Sequence, residues 1–96
     1  MIIETVSSFY EISRNDLLSN CRRKDIAFPR QVAMYFLREE TNASFPAIGK
    51  QLGDRDHTTV IHAYKKILKD IEENNQVKSE IATIRQKLYI SAKSYS

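Results

Sequence analysis

Four polar side chains near the middle of the chain could either bind DNA bases or carry out acid–base chemistry. Asp56, His57 and Thr58 are consecutive, and His62 follows about one helical turn later. Carboxylate, imidazole and hydroxyl groups can bind the base edges that DNA exposes in its major groove. The same groups also form acid–base pairs and metal sites in enzymes. The spacing of the four residues helps to separate these two possibilities.

That spacing argues against catalysis and against a metal site. His57 and His62 are five residues apart, whereas helical histidine pairs that bind a metal are four apart. Asp56 and His57 are neighbours, and adjacent side chains of a helix point in different directions. A chain of 96 residues also has little room for an enclosed pocket beside its core. We therefore predict no catalytic residue, no metal and no enzyme activity.

The four side chains need an amphipathic helix that begins near Asp56. Its apolar positions, at i, i+4, i+7 and i+11, are Val60, Tyr64, Ile67 and Ile71. Its opposite face, which is basic and rich in hydroxyl groups, consists of Thr58, His62, Lys65 and Lys69. Such a helix suits the major groove, but an ordinary surface helix with a solvated polar face shows the same pattern.

A shorter helix precedes this one and completes a helix-turn-helix pattern. Ser44 is a suitable N-cap for a helix from Phe45 to Leu52, and Gly53 can take the left-handed conformation that ends it. A short and a longer helix joined by a tight turn with glycine are typical of the motif. Either Asp54 or Asp56 could cap the second helix. A capping aspartate bonds its own backbone, whereas an outward one can accept a hydrogen bond from a base.

The N-terminal part of the chain predicts further short helices. Apolar residues keep helical spacing over residues 2–10, and Ser13 can cap a second short helix with Asp16 at its third position. The polar stretch from Ser19 to Asp25 has no periodicity and predicts a loop. Pro29 suits the first turn of the following helix, because its missing N–H has no cost there.

A last helix closes the chain. Its apolar stripe consists of Val77, Ile81, Ile84 and Leu88, and the helix is predicted over residues 76–90. Residues 91–96 show no pattern and predict a frayed tail. No strand pattern occurs, so we predict an all-α fold of about five to six helices over residues 1–90.

Composition and charge fit one small domain with a polyanionic partner. The chain has 42% hydrophobic residues and only two Gly and two Pro, as is typical of a helix-rich globular fold. The net charge is +3, but residues 14–38 carry six basic and two acidic side chains, a balance of +4, which favours a polyanion. The single cysteine, Cys21, fits a reducing compartment, and no stretch resembles a membrane span or a signal peptide. We therefore predict a soluble intracellular domain.

The order of these motifs resembles the C-terminal DNA-binding domain, domain IV, of the bacterial chromosomal replication initiator family DnaA. The resemblance rests on three blocks, which are Pro29-Arg30-Gln31-Val32-Ala33-Met34-Tyr35, Ile48-Gly49 and Arg55-Asp56-His57-Thr58-Thr59-Val60-Ile61-His62-Ala63. It covers roughly residues 2–88. The chain departs from the family at Leu52, where Phe is usual, and at Asp54, where a second glycine is usual.

The resemblance implies binding to DnaA boxes, which are short duplex elements of the replication origin, in the initiation of chromosomal replication. It implies that the helix starting near Asp56 lies in the major groove and that the basic loop places Arg22 in the minor groove. The implied base contacts are Arg22, Asp56, His57, Thr58 and His62. The implied phosphate contacts are Arg23, Lys24, Arg30, Gln31, Arg38, Pro46, Ala47, Thr59 and Lys66.

No Gly-rich phosphate-binding motif occurs in the chain, so we expect neither ATP nor another cofactor. The resemblance implies an AAA+ ATPase module in a full-length protein, and the chain is either an excised domain or a stand-alone protein. It also implies a bacterial, cytoplasmic and nucleoid-associated location. Two alternatives are a helix-turn-helix regulator that binds another DNA sequence, and a helix bundle that binds a protein through Tyr64 and the stripe from Val77 to Leu88.

Overall fold

The computed structural model describes residues 1–19 and 23–93, with the backbone alone for residues 24 and 91–93. This part of the chain forms six helices and no strand. They are α1 (Ile2–Tyr10), α2 (Arg14–Leu18), α3 (Lys24–Thr41), α4 (Phe45–Gln51), α5 (His57–Glu73) and α6 (Asn75–Lys93). The predicted all-α class is confirmed. Over the same residues, no helix combines the length and the apolar character needed to cross a membrane.

The core lies between α3 and α5, and the predicted apolar stripes face it. α4 packs against both of these helices, while α1 and α6 contact each other and cover the remaining sides. Val60 and Ile67 of α5 are fully buried. Burial of each such side chain stabilises the fold by about 1.5–3 kcal/mol. The α6 stripe from Val77 to Leu88 is buried in the same core, so it is not a free surface for a protein partner.

α3 begins five residues before Pro29, which corrects two predictions. Lys24 and Asp25 belong to this helix rather than to the predicted loop, and Pro29 lies in its second turn rather than its first. The early start follows from Ile26, which is fully buried and therefore needs an ordered turn around it. Pro29 leaves the carbonyl of Asp25 without its helical N–H partner, but Asp25 is an exposed residue, which lowers this cost.

Side-chain caps begin three of the helices. The N–H of Asp16 donates to Ser13 Oγ (3.0 Å), and the N–H of Ala47 donates to Ser44 Oγ (3.3 Å), which confirms both predicted serine caps. Asn74 Oδ1 caps α6 in the same way. α6 continues to Lys93, three residues past its predicted end, and residues 94–96 lie outside the described residues.

Polar and aromatic contacts join α5 to α3, and α3 to α6. The Tyr64 hydroxyl donates to Glu39 Oε2 (2.8 Å), and Arg85 Nη2 donates to the Tyr35 hydroxyl (2.9 Å). The rings of Tyr35 and Tyr64 stack with their centroids 5.7 Å apart. Burial raises the pKa of both hydroxyls above the ordinary value of 10.0, so both keep their protons near neutral pH. Contacts on the inner side of α5 therefore fix the direction in which its exposed face points.

Candidate nucleic-acid interface

The turn between α4 and α5 is short and hydrogen-bonded. The Gly49 carbonyl oxygen accepts from the N–H of Leu52 (3.3 Å) and from the N–H of Arg55 (2.7 Å). Gly53 and Asp54 both have left-handed backbones, with φ of 84° and 55°. The prediction for Gly53 is confirmed. Aspartate tolerates the left-handed region better than most residues, which explains how Asp54 occupies a position where glycine is usual.

Gly49 allows this turn to approach α4 closely. A Cβ atom at residue 49 would lie 2.1 Å from the carbonyl oxygen of Arg55 and 3.4 Å from Val60 Cγ2. Real Cβ atoms essentially never come within 3.0 Å of another heavy atom, so only glycine fits without moving the turn. Gly49 thus determines where α5 begins.

Asp56 occupies the N-cap position of α5, which answers the question of which aspartate begins the helix, but its carboxylate caps no N–H group. Asp56 Oδ1 instead lies 3.0 Å from His57 Nδ1. The expectation that these neighbours point apart is wrong, because Asp56 has an extended backbone (φ −62°, ψ 143°) and not a helical one. The side chains of Asp56 and His57 remain 67% and 57% exposed. They can therefore reach a ligand as an ordered pair.

The exposed face of α5 continues from this pair. Thr58, His62, Lys65 and Lys69 are all exposed, as predicted. The first N–H groups of α5 have no side-chain cap, and the helix dipole places partial positive charge at this end. The start of α5 can therefore offer donors and acceptors to base edges and phosphates. Among the described residues, no group of three or more His, Cys, Asp or Glu side chains is placed to hold a metal ion.

A groove of about 330 Å³ between α3 and α5 brings several predicted contacts together. It is lined by Ala27, Arg30, Gln31, Met34, Arg55, Thr59, His62, Ala63 and Lys66. Gln31, Thr59 and Lys66, which the resemblance assigns to phosphates, thus lie beside His62, which it assigns to bases. Two helices that are separate in the sequence therefore form one surface, in which basic and polar side chains surround the apolar Ala27, Met34 and Ala63. We call it the α3–α5 groove.

Some of the predicted basic contacts already have acidic neighbours. Lys66 Nζ lies 2.9 Å from Asp70 Oδ2. Arg23 lies 3.4 Å from the Asp25 carboxylate and 3.8 Å from the Asp16 carboxylate. These pairs are largely exposed, so each contributes little to stability and can be exchanged for a phosphate. Arg22 and the side chain of Lys24 lie outside the described residues, and their predicted contacts stay predictions.

Arg30 is almost fully buried, with only 5% of its surface exposed. Its guanidinium donates to three backbone carbonyl oxygens, those of Leu17 (3.0 Å), Asp16 (3.1 Å) and Ser19 (3.0 Å). These carbonyls lie at the C-terminal end of α2, where the helix dipole favours a cation. Arg30 therefore fastens α2 to α3, and a further contact of Arg30 with a phosphate stays a prediction.

Arg38, Pro46 and Ala47 do not line the α3–α5 groove. Arg38 Nη1 donates to the Ala43 carbonyl (3.0 Å), and its guanidinium lies 4.6 Å from the centroid of the Phe45 ring. The N–H of Ala47 already donates to the Ser44 hydroxyl, and Pro46 has no N–H. The structure thus brings only part of the predicted phosphate set into one surface.

Arg55 lines the groove although it is absent from the predicted contacts. Its Nη2 donates to the Ser19 carbonyl (3.3 Å), and its Nε is buried with no hydrogen-bond partner among the described residues. The only sign of this role in the sequence is a basic residue directly before Asp56. Nothing in the residue pattern connects positions 19 and 55, because that contact forms only when α2 packs beside the turn.

Comparison with known proteins agrees with this geometry. A family model described as bacterial dnaA protein helix-turn-helix matches residues 1–67, a span that includes α4, the turn and the start of α5. The chain belongs to this family. The DnaA resemblance and the DNA-binding helix-turn-helix character predicted from the sequence are thereby confirmed.

The DnaA match extends to a curated relative. The chromosomal replication initiator protein DnaA of Herpetosiphon aurantiacus is 44% identical over 88 residues, which cover 92% of this chain and 19% of the relative. The chain therefore spans about a fifth of that relative's length.

Proposed function

We propose that this DnaA-family domain binds DnaA boxes in duplex DNA, with α5 in the major groove and the basic loop in the minor groove. The observation that carries the proposal is the exposed start of α5, where Asp56, His57 and Thr58 face solvent above uncapped N–H groups. A helix start normally satisfies these groups with a side chain, so their exposure leaves them available to a ligand. The name of the relative supports replication initiation as the process.

Base contacts are assigned to Asp56, His57, Thr58 and His62 on α5 and to Arg22 in the loop. The Asp56 carboxylate can accept from cytosine N4 or adenine N6, and the Thr58 methyl can contact the methyl group of thymine. The contact between Asp56 and His57 restricts both side chains before DNA binds, which lowers the entropic cost of ordering them. Arg22 is assigned to a narrow A·T-rich minor groove, which concentrates negative potential.

Phosphate contacts are assigned to the α3–α5 groove and its surroundings. The assigned residues that line the groove are Arg30, Gln31, Thr59 and Lys66. The other assigned residues are Arg23, Lys24, Arg38, Pro46 and Ala47. Such contacts fix the register of the protein on DNA but carry no sequence information. The slope of log affinity against log salt should be about −0.9 for each phosphate neutralised.

We propose that the domain is a binding module without enzyme activity or cofactor. In a longer protein, the AAA+ module of the DnaA family would carry out the ATP-dependent steps. The location that fits this role is the bacterial cytoplasm, at the nucleoid.

Selection of bound duplexes from a random pool tests the proposal. DnaA boxes should be enriched, and His57→Ala should then weaken binding to an enriched duplex by about 1–3 kcal/mol and change binding to random DNA little. Gln86→Ala, at an exposed position of α6, is the control and should change neither affinity. Enrichment of an unrelated sequence would identify a regulator of another site. The absence of any enrichment would refute sequence-specific binding.

A further inference from the structure

Two arginines converge on one carbonyl oxygen beside the DNA-binding surface. Arg30 Nη2 lies 3.0 Å from the Ser19 oxygen, and Arg55 Nη2 lies 3.3 Å from it. Arg30 comes from α3, whereas Arg55 comes from the turn of the helix-turn-helix. A single carbonyl oxygen at the end of α2 thus accepts hydrogen bonds both from α3 and from the turn that leads into α5.

The Ser19 carbonyl lies at the start of the basic loop. Three residues separate Ser19 from Arg23, which is the N-cap of α3. Arg23 is directly joined to the first turn of α3, and its carbonyl accepts from the N–H groups of Ile26 (3.2 Å) and Ala27 (3.0 Å). Both ends of the segment that carries Arg22 are therefore attached to described parts of the domain. Of these attachments, only that of Arg55 reaches the turn that leads into α5.

Stability alone does not explain the contacts that Arg55 makes. Within the part of the chain that the structure describes, its Nε is buried without a partner, and a buried unsatisfied donor is destabilising. It also brings a second positive charge to a carbonyl that Arg30 already occupies. Local rules tend to be broken in this way at functional sites, where another requirement outweighs them.

We propose that Arg55 is a positioning residue that sets the base of the basic loop relative to the start of α5. This inference rests on the proposed function. The loop and α5 enter adjacent grooves of one duplex, so both can be occupied only if their separation matches the DNA. Fixing the position of Ser19 relative to the turn in the free protein lowers the entropic cost of binding.

A nitroxide label on Cys21 tests this before any DNA is added. Cys21 is the single cysteine and lies two residues after Ser19, so the wild-type sequence can be labelled directly. Arg55→Ala should raise the mobility of the label in the electron paramagnetic resonance spectrum. Lys78→Ala removes the same charge from an exposed position of α6 and should leave the spectrum unchanged. Equal mobility in the wild type and Arg55→Ala would overturn the proposal.

DNA binding supplies the second measurement. Arg55→Ala should weaken binding to a selected duplex about tenfold, because the position of Ser19 relative to α5 must then be fixed during binding. Replacing the flanking A·T pairs by G·C should then cost the variant much less than it costs the wild type. If both proteins lose equally from that replacement, Arg55 does not position the loop. If the wild type selects no duplex at all, the proposed function is refuted. The label experiment then still shows whether Arg55 positions the loop.

Arg55→Lys separates positioning from charge and also serves if Arg55→Ala fails to fold. The lysine side chain keeps the charge but ends one bond short of Nη2, so it donates poorly to the Ser19 carbonyl. The variant should therefore retain a mobile label and reduced affinity. Full recovery of affinity with a mobile label would show that charge alone matters, and would overturn the positioning role.

Discussion

Replacing Gly49 by alanine should destabilise the domain, although it removes a glycine from a helix. The added Cβ would lie 2.1 Å from the Arg55 carbonyl oxygen, which would have to retreat by about 0.9 Å to reach the 3.0 Å limit that real Cβ atoms respect. The obstacle is backbone, and the N–H of Arg55 is itself held by the Gly49 carbonyl at 2.7 Å. The turn therefore cannot move away without losing that hydrogen bond.

Two effects of opposite sign decide the magnitude for Gly49→Ala. Overpacking usually costs about 1–3 kcal/mol, and loss of the Arg55 hydrogen bond adds roughly 1 kcal/mol. Alanine recovers about 1 kcal/mol over glycine in a helix interior. We expect a net loss of about 2 kcal/mol, which corresponds to a fall in Tm of roughly 8–16 °C for a domain of this size.

Thermal and urea unfolding followed by circular dichroism measure this loss. Ala82→Gly, at an exposed position of α6, gives the cost of glycine in a helix when nothing obstructs a Cβ. A Gly49→Ala protein as stable as the wild type, or more stable, would refute the steric argument, because helix propensity alone predicts that gain. The variant should also lose affinity for a selected duplex, since a shifted turn moves the start of α5.

Three further predictions concern stability. Arg30→Ala should lower the free energy of unfolding by about 1–3 kcal/mol in urea, because the carbonyl oxygens of Leu17, Asp16 and Ser19 each lose a hydrogen bond from its guanidinium. Arg38→Ala removes one such bond and should cost less, and equal losses would contradict this account. Ile67→Ala should cost about 2–5 kcal/mol in the same assay, because the side chain is fully buried, whereas exposed Leu68→Ala should cost far less. Burial, reinforced by the hydrogen bond to Glu80, raises the pKa of Tyr10 in the folded protein above 10.0, its value in the unfolded chain. The protonated hydroxyl therefore stabilises the fold fully below pH 10, and this stabilisation is lost as the pH rises through the pKa of the folded state. Unfolding at pH 9 and pH 11 should therefore show a larger loss for the wild type than for Tyr10→Phe, and parallel losses would refute the Tyr10 assignment.

Periodic patterns predicted most of the fold because burial depends on which face of a helix a residue occupies. The stripes of α5 and α6 were predicted from spacing alone; Val60 and Ile67 of α5 and the whole α6 stripe are buried, while Tyr64 and Ile71 are partly buried against the core. The serine caps of α2 and α4 and the left-handed Gly53 were also predictable, since each depends on a residue and its near neighbours. Local chemistry decides such features, so a single sequence is sufficient for them.

Features that depend on contacts between distant segments were not predictable. Pro29 suggested a helix start, but α3 begins five residues earlier, where the buried Ile26 needs an ordered turn. Arg30 belongs to a basic cluster in the sequence, yet its charge is directed inward to the end of α2. Gly49 stood out only as part of a motif, because its need for a missing Cβ arises from a carbonyl six residues later in the chain. In each case the sequence shows the residue but not the neighbour that gives it a role.

The start of α5 differs from the other described helix starts in a way that bears on function. α2, α4 and α6 begin with side-chain caps, while α1 and α3 follow Met1 and Arg23, whose side chains cannot accept a capping hydrogen bond. α5 alone has a residue able to cap, Asp56, that turns to His57 instead. An aspartate cap is typically worth about 1 kcal/mol, and α5 can form without it because Val60, Ala63 and Ile67 anchor it in the core. A capping carboxylate would have its oxygens occupied by its own backbone. The arrangement that weakens the helix start therefore also leaves Asp56 Oδ2 available to accept a hydrogen bond, while Oδ1 contacts His57.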